Sequence, residues 1–165
     1  MTNEPTIEHR DEQPYVAIRT RVKMSDIPAV LPPLVPQIIH WLDQHHVVQA
    51  GPVFFRYLLF DHEDHLLVDV GVPTQLPLQV HGRVVAGSFP AASYVTVTYK
   101  GDYRHLKDVH MGLESWMKEK GLREGTQHVE GAEYAARTEF YITDPDEVKD
   151  PQEWRTDVTI LLAEK

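Results

Sequence analysis

The second half of this chain repeats the plan of its first half. Tyr15-Val16-Ala17-Ile18-Arg19 has a counterpart in Tyr94-Val95-Thr96-Val97-Thr98, an offset of 79 residues from 15 to 94. Ile39-His40-Trp41-Leu42 aligns with Glu114-Ser115-Trp116-Met117, an offset of 75 from 41 to 116. Phe55-Arg56-Tyr57 aligns with Glu139-Phe140-Tyr141, an offset of 84 from 57 to 141. Offsets that differ by a few residues are what loop insertions and deletions leave behind. A duplicated unit that pairs with its copy across a pseudo-two-fold axis creates a cleft between equivalent elements, and function is expected there.

Each copy reads as strand, helix, strand, strand. In the first, Tyr15 to Val22 alternates β-branched and polar residues, as a half-buried strand does. Pro32, Pro33 and Pro36 interrupt the next stretch, so its helix is expected from about Pro33 to His46, with Leu34, Ile38, Trp41, Leu42 and His45 on one face. Val53–Phe60 and Leu66–Val72 form a hairpin around the acidic turn 61–64. The second copy is read as beginning with Arg83–Phe89 and the strand Ser93–Tyr99. A helix over about Tyr103–Lys120 then sets Leu106, Val109, Leu113, Trp116 and Met117 on one face, with Gly121 as its stop. Ala135–Thr143 and Thr156–Leu162 close the copy as two strands.

The expected fold class is therefore α+β. It is a duplicated β-α-β-β module with a curved antiparallel sheet of about eight strands. Two main helices cover one face, and a ligand cleft lies between the halves. Residues 1–13 are polar and expected to be a flexible lead-in, with the domain over 14–165 and its repeats at about 14–76 and 83–163.

Composition excludes several classes of function. The 165 residues carry a formal charge of −9, which disfavours a nucleic-acid partner because phosphate binding needs a basic face. With no cysteine there is no disulfide, thiolate nucleophile or cysteine-ligated metal. No apolar run approaches the roughly 20 residues needed to cross a bilayer, and the start lacks a secretory pattern, so the expectation is a cytoplasmic protein. Adjacent His45 and His46 point about 100° apart on a helix and cannot chelate together, and His105 and His110 also face different sides. His62 and His65, beside the acidic turn, could form at most a loose surface metal site. No functional metal and no cofactor are expected, and no phosphate loop, zinc helix or nucleophile elbow is present.

The order of four segments resembles the GyrI-like small-molecule-binding domain, the effector-binding domain of many multidrug-responsive bacterial transcription regulators. They are the strand ending Asp69-Val70-Gly71-Val72-Pro73; Lys100-Gly101-Asp102-Tyr103; Trp116 with Gly121-Leu122; and Glu139-Phe140-Tyr141-Ile142-Thr143-Asp144-Pro145 followed by Trp154-Arg155-Thr156-Asp157. The resemblance covers about residues 14–162. It implies a pocket cupped by the two halves, faced by a central glutamate that corresponds to Glu139. It also implies a stand-alone binder of hydrophobic, cationic or aromatic compounds.

Strand alternation puts Arg137, Glu139 and Tyr141 on one face and Thr138, Phe140 and Ile142 on the other. Burying Phe140 and Ile142 under the helices would direct Glu139 and Tyr141 into the concavity. A carboxylate held away from water is poised either to take a cation or to do acid–base work, although a salt bridge to Arg137 would explain it equally. Tyr57 and Phe55 occupy the repeat-equivalent positions and would line the opposite wall or simply pack. Tyr103, Asp69 and Trp116 complete the candidate ligand-binding set, the last fitting core packing as well.

Two rival functions stand beside small-molecule capture. The resemblance also covers hydrolases of strained cyclopropane-containing natural products. In that case Glu139 would be the general base, with Tyr141 or Tyr57 as proton donor. An acidic interaction module, such as a DNA gyrase inhibitor, is the other. A homodimer is compatible with either.

Overall fold

The computed structural model describes residues 1–60 and 64–164. In chain order the strands are β1 (Thr6–Arg10), β2 (Gln13–Lys23), β3 (Phe54–Phe60), β4 (His65–Pro73), β5 (Val84–Phe89), β6 (Ala92–Lys100), β7 (Thr126–Val129), β8 (Ala132–Ala135), β9 (Arg137–Tyr141) and β10 (Arg155–Leu161). The α-helices are α1 (Ile27–Val30), α2 (Leu34–Gln44) and α3 (Leu106–Glu119). The class is α+β, as the sequence predicts, and the named strand pairs are antiparallel.

The chain divides into two compact units, Asp11–Ala91 and Met1–Arg10 with Ala92–Lys165. In the first, the strands run in the order β5-β2-β4-β3; in the second, β1-β6-β10-β9. Two sequence expectations are corrected here. Residues 6–10 are not a loose lead-in but the edge strand β1, paired with β6 from Thr6↔Thr96 to Arg10↔Ala92. The Met1 ammonium donates to the Lys100 carbonyl, and the Thr98 amide donates to the Asn3 side chain, which ties the terminus down. The strand β5, read as the start of the second copy, instead pairs with β2 of the first. Each unit thus takes its edge strand from the sequence just ahead of the other unit's first central strand. Also unforeseen is the hairpin β7–β8, which turns through Glu130 and Gly131, both at positive φ.

Register makes the duplication concrete. Arg19↔Asp69↔Arg56 in the first unit matches Thr98↔Asp157↔Phe140 in the second. These rows carry the offsets 79, from 19 to 98, and 84, from 56 to 140, that the sequence displays. The helices follow an offset of 75: buried Leu31, Leu34, Ile38 and Leu42 map onto buried Leu106, Val109, Leu113 and Met117. In the first unit, α2 packs against β2 and β4. In the second, α3 covers Val95 and Val97 of β6 and Val158 and Ile160 of β10. Among the described residues no helix is long and apolar enough to cross a membrane.

Candidate functional site

The second unit brings Glu139, Tyr141 and Tyr103 together, and adds a residue that the sequence reading passed over. Glu139 is only 5% exposed. Its register neighbour on β10 is Val158, whose own neighbour on β6 is Val97. That apolar column lies under α3, so the Glu139 side chain points toward the helix. There, His110 of α3 places Nε2 2.7 Å from Glu139 Oε2. An ionised carboxylate can only accept, so Nε2 carries the hydrogen and donates it. On the other oxygen, the Tyr141 hydroxyl donates to Oε1 at 2.6 Å. Tyr141 is two residues along the same strand and therefore on the same face.

This reverses the expected orientation of β9. Phe140, expected beneath the helices, has Asp157 and then Thr98 as lateral neighbours, and its ring lies under the Arg10 guanidinium at 6.0 Å. Ile142 is 41% exposed. Alternation defines two faces of a strand but does not say which one a helix covers; the lateral neighbours decide. Nor does Arg137 pair with Glu139. It donates from Nη1 to Glu114 of α3 and from Nη2 to Glu124, the latter at 2.9 Å.

Aromatic rings extend from the carboxylate. Tyr103 opens the turn before α3 with its ring 5.4 Å from Tyr141 and 4.6 Å from Trp154, the latter pair tilted by only 31°. Trp154 is held by the loop after β9. Its indole N–H donates to the Val148 carbonyl at 2.6 Å, and Asp144 and Asp150 each cap the amide two residues on, stiffening that loop. Burial above all, then the negative charges of Asp144 and Glu139, push the Tyr103 phenol up to about 12. It is a hydrogen-bond donor throughout the physiological range. Trp116 is half-buried against the core under α3, with the Lys120 ammonium 5.8 Å over its ring. It belongs to packing rather than to this cluster.

A signal for His110 does exist in the sequence. Four residues after Leu106 and three before Leu113, it sits on the flank of the apolar stripe, where a polar residue needs a partner. Chemically, the set is one carboxylate with two donors locked onto it, beside three aromatic rings. It can offer negative charge next to π-faces, or a base with two adjacent proton donors.

The remaining candidates lie in the first unit. Phe55 is buried and Tyr57 half-buried on β3. Asp69 is fully buried on β4 and fully engaged. Arg19 grips it through Nε and Nη2 at 2.8 and 3.0 Å, and the Tyr15 hydroxyl donates to Oδ2 at 2.6 Å. Arg56, 1% exposed, donates to the Tyr15 oxygen at 3.1 Å and to the Ser88 carbonyl at 3.0 Å. Asp69 is thus the centre of an internal ionic network.

Burial first, and then the Asp69 charge, raise the Tyr15 phenol well above its usual range. A raised phenol favours the protonated, folded form. Its contribution is therefore intact below pH 10 or so and is lost as the pH climbs beyond that, at up to about 1.4 kcal/mol per pH unit. Urea unfolding between pH 9 and 11.5 should show that decline in the native sequence and a shallower one in Tyr15→Phe. Equal slopes would refute the assignment.

Among the described residues, no three His, Asp or Glu side chains are placed to hold a metal ion. His62, half of the loose site considered from sequence, lies outside the described residues.

With the geometry in view, the relatives can be read. The family model for the GyrI-like small molecule binding domain matches residues 3–163. No curated protein sequence matches the chain. Among solved structures, the EcmrR C-terminal domain superposes with a TM-score of 0.76 at 18% identity, covering 98% of both chains. This chain spans 58% of the longer EcmrR chain in its DNA complex. SAV2435 bound to tetraphenylphosphonium has a TM-score of 0.66 at 8% identity, over 98% of this chain and 94% of that one. A hydrolase from Listeria innocua has 0.58 at 13%, over 97% and 92%. At these identities the structural likeness speaks for the fold alone.

Proposed function

Because this chain belongs to the GyrI-like small molecule binding domain family, we propose that it binds hydrophobic, cationic aromatic small molecules, with Glu139 as the counter-charge. The observation that carries this reading is the nearly buried Glu139 carboxylate beside the rings of Tyr141, Tyr103 and Trp154. Aromatic faces bury apolar ligand area at roughly 25 cal/mol per Å² and add cation–π attraction. A carboxylate out of bulk water acts at low effective dielectric and favours positive over neutral ligands. The tetraphenylphosphonium in the SAV2435 structure is a ligand of this chemistry on the same fold.

The test is a change of one charge. Glu139→Gln keeps the shape and an acceptor oxygen, and should weaken tetraphenylphosphonium about tenfold, equivalent to about 1.4 kcal/mol. Triphenylphosphine oxide, similar in shape but neutral, should change by less than about twofold. Calorimetric titration of both reads the outcome, and equal losses would count against the carboxylate as selector.

A second reading rests on the same hydrogen bonds. A carboxylate with a tyrosine hydroxyl at 2.6 Å and an imidazole at 2.7 Å has the parts of an acid–base catalyst. Glu139 would take a proton from water as the water opens a strained three-membered ring, and Tyr141 would protonate the departing carbon. Product in excess of one equivalent per protein, lost in Glu139→Gln, would favour it; strict stoichiometric binding would exclude it.

A further inference from the structure

One buried position on β10 differs between the two copies by a hydroxyl in place of a methyl. The row Arg19↔Asp69↔Arg56 matches Thr98↔Asp157↔Phe140, which sets β4 on β10 at an offset of 88, from 69 to 157. One residue earlier, Val68 flanked by Thr20 and Tyr57 therefore corresponds to Thr156 flanked by Tyr99 and Tyr141. Both are 0% exposed. The first unit fills the place with valine, which has the shape of threonine without its polar atom. In Thr156 that atom, Oγ1, is buried and has no hydrogen-bond partner among the described residues. The phenols on either side do not supply one. Tyr99 donates its hydrogen to the Asp102 carbonyl at 2.9 Å, and Tyr141 donates its own to Glu139. A buried hydroxyl left unpaired costs stability that valine would avoid, so packing does not explain it.

Its place in the unit does. Thr156, Val158 and Ile160 alternate onto the face of β10 that α3 covers. Val158 is the register partner of Glu139, so Thr156 is the diagonal neighbour of that carboxylate and the direct neighbour of Tyr141. Tyr103, Tyr141 and Trp154 beside it are all half-buried, so a ligand approaching from solvent meets the rings before the two oxygens.

We propose that Thr156 determines specificity in this site, its hydroxyl accepting an N–H from a protonated aromatic amine whose charge faces Glu139. The proposal rests on the binding reading above and narrows its ligand class. Glu139 favours positive charge here, and a positive group that also carries hydrogens is an ammonium or an amidinium. Such a group donates to Oγ1 and to a carboxylate oxygen together. A quaternary ammonium or a phosphonium has the charge but no hydrogen to give, and leaves Oγ1 unpaired. Thr156 therefore selects protonated amines over quaternary cations of the same ring system.

The experiment is calorimetric titration at pH 7.5 with 1-naphthylmethylammonium and its N,N,N-trimethyl derivative. The two share a ring and a charge and differ in their N–H groups. Thr156→Val should weaken the ammonium about tenfold, the size of a lost hydrogen bond to a charged group, and the trimethyl compound by less than about twofold. Urea unfolding without ligand should give Thr156→Val a midpoint at or above the native one. Thr138 supplies the control, since its hydroxyl is also buried without a partner but lies on the face of β9 opposite Glu139. Thr138→Val should leave both affinities within about twofold of native. Equal losses for the two ligands in Thr156→Val, no loss for either, or a matching loss of the ammonium in Thr138→Val would overturn the assignment. So would a clear drop in the Thr156→Val midpoint, which would mean that the hydroxyl serves the fold. A native sequence that binds tetraphenylphosphonium but not the ammonium would sink this proposal alone. Failure to bind any of the three cations would sink the binding reading with it.

Discussion

Replacing Asp69 with alanine is expected to destabilise the protein by about 3–5 kcal/mol, the range for removing one partner of a buried ion pair. The size follows from the position of Asp69 on a central strand. Its register partners are Arg19 on β2 and Arg56 on β3; the Arg19 guanidinium and the Tyr15 hydroxyl both donate to its carboxylate, and Arg56 donates in turn to the Tyr15 oxygen. Arg19 can turn toward solvent when that carboxylate is gone, because its side chain is 27% exposed. Tyr15 has no such route: at 1% exposure it would lose its carboxylate acceptor inside the core. The penalty thus combines the attraction lost to Arg19 with a buried phenol that loses its carboxylate acceptor. Asp69→Asn, which keeps volume and one acceptor, should cost visibly less than alanine. Urea unfolding of the two variants gives the answer. A loss below about 1 kcal/mol for alanine would mean that the network is spanned by water and that Asp69 could serve a ligand after all.

Much of the architecture was legible because it is local. Helical periodicity identified Leu34, Ile38, Leu42, Leu106, Val109, Leu113 and Met117, all buried, and the repeat offsets reappear in the strand registers. What was not legible depends on partners distant in sequence. The five residues of β1 become a strand only because β6 accepts them, at a separation of about 90 residues from Thr6 to Thr96. Which strand β5 would join was equally hidden. The site shows the same division. Glu139 and Tyr141 were correctly placed on one face, but the direction of that face was set by Val158 and Val97, two strands that the local pattern does not contain. Asp69 looked like a pocket acid for the same reason: its neutralising arginine, Arg19, is a lateral neighbour and not a sequence neighbour. Phe55 and Tyr57 were chosen by symmetry with Glu139 and Tyr141. Symmetry located equivalent positions without revealing that only one copy carries the acid and its histidine.

The second large effect concerns the seat of α3. Leu113 is 2% exposed and packs in the cluster of Val95, Val97, Val158 and Ile160. Leu113→Ala should cost about 2–5 kcal/mol, combining lost transfer free energy with the cavity left by partial relaxation. Leu113→Met, which nearly conserves volume, should cost less than about 1.5 kcal/mol. The functional consequence separates this from an ordinary core deletion. Leu113 lies three residues after His110, on the same side of the helix, so it helps fix where Nε2 meets Glu139. A loosened helix should therefore reduce tetraphenylphosphonium affinity in protein that is still folded, whereas the methionine variant should keep it. Urea midpoints and calorimetry on the three proteins test the two halves of the claim separately. If Leu113→Ala lost stability as expected yet bound the cation as tightly as the native sequence, the Glu139–His110 geometry would be held by the strand and its aromatic neighbours rather than by the packing of α3.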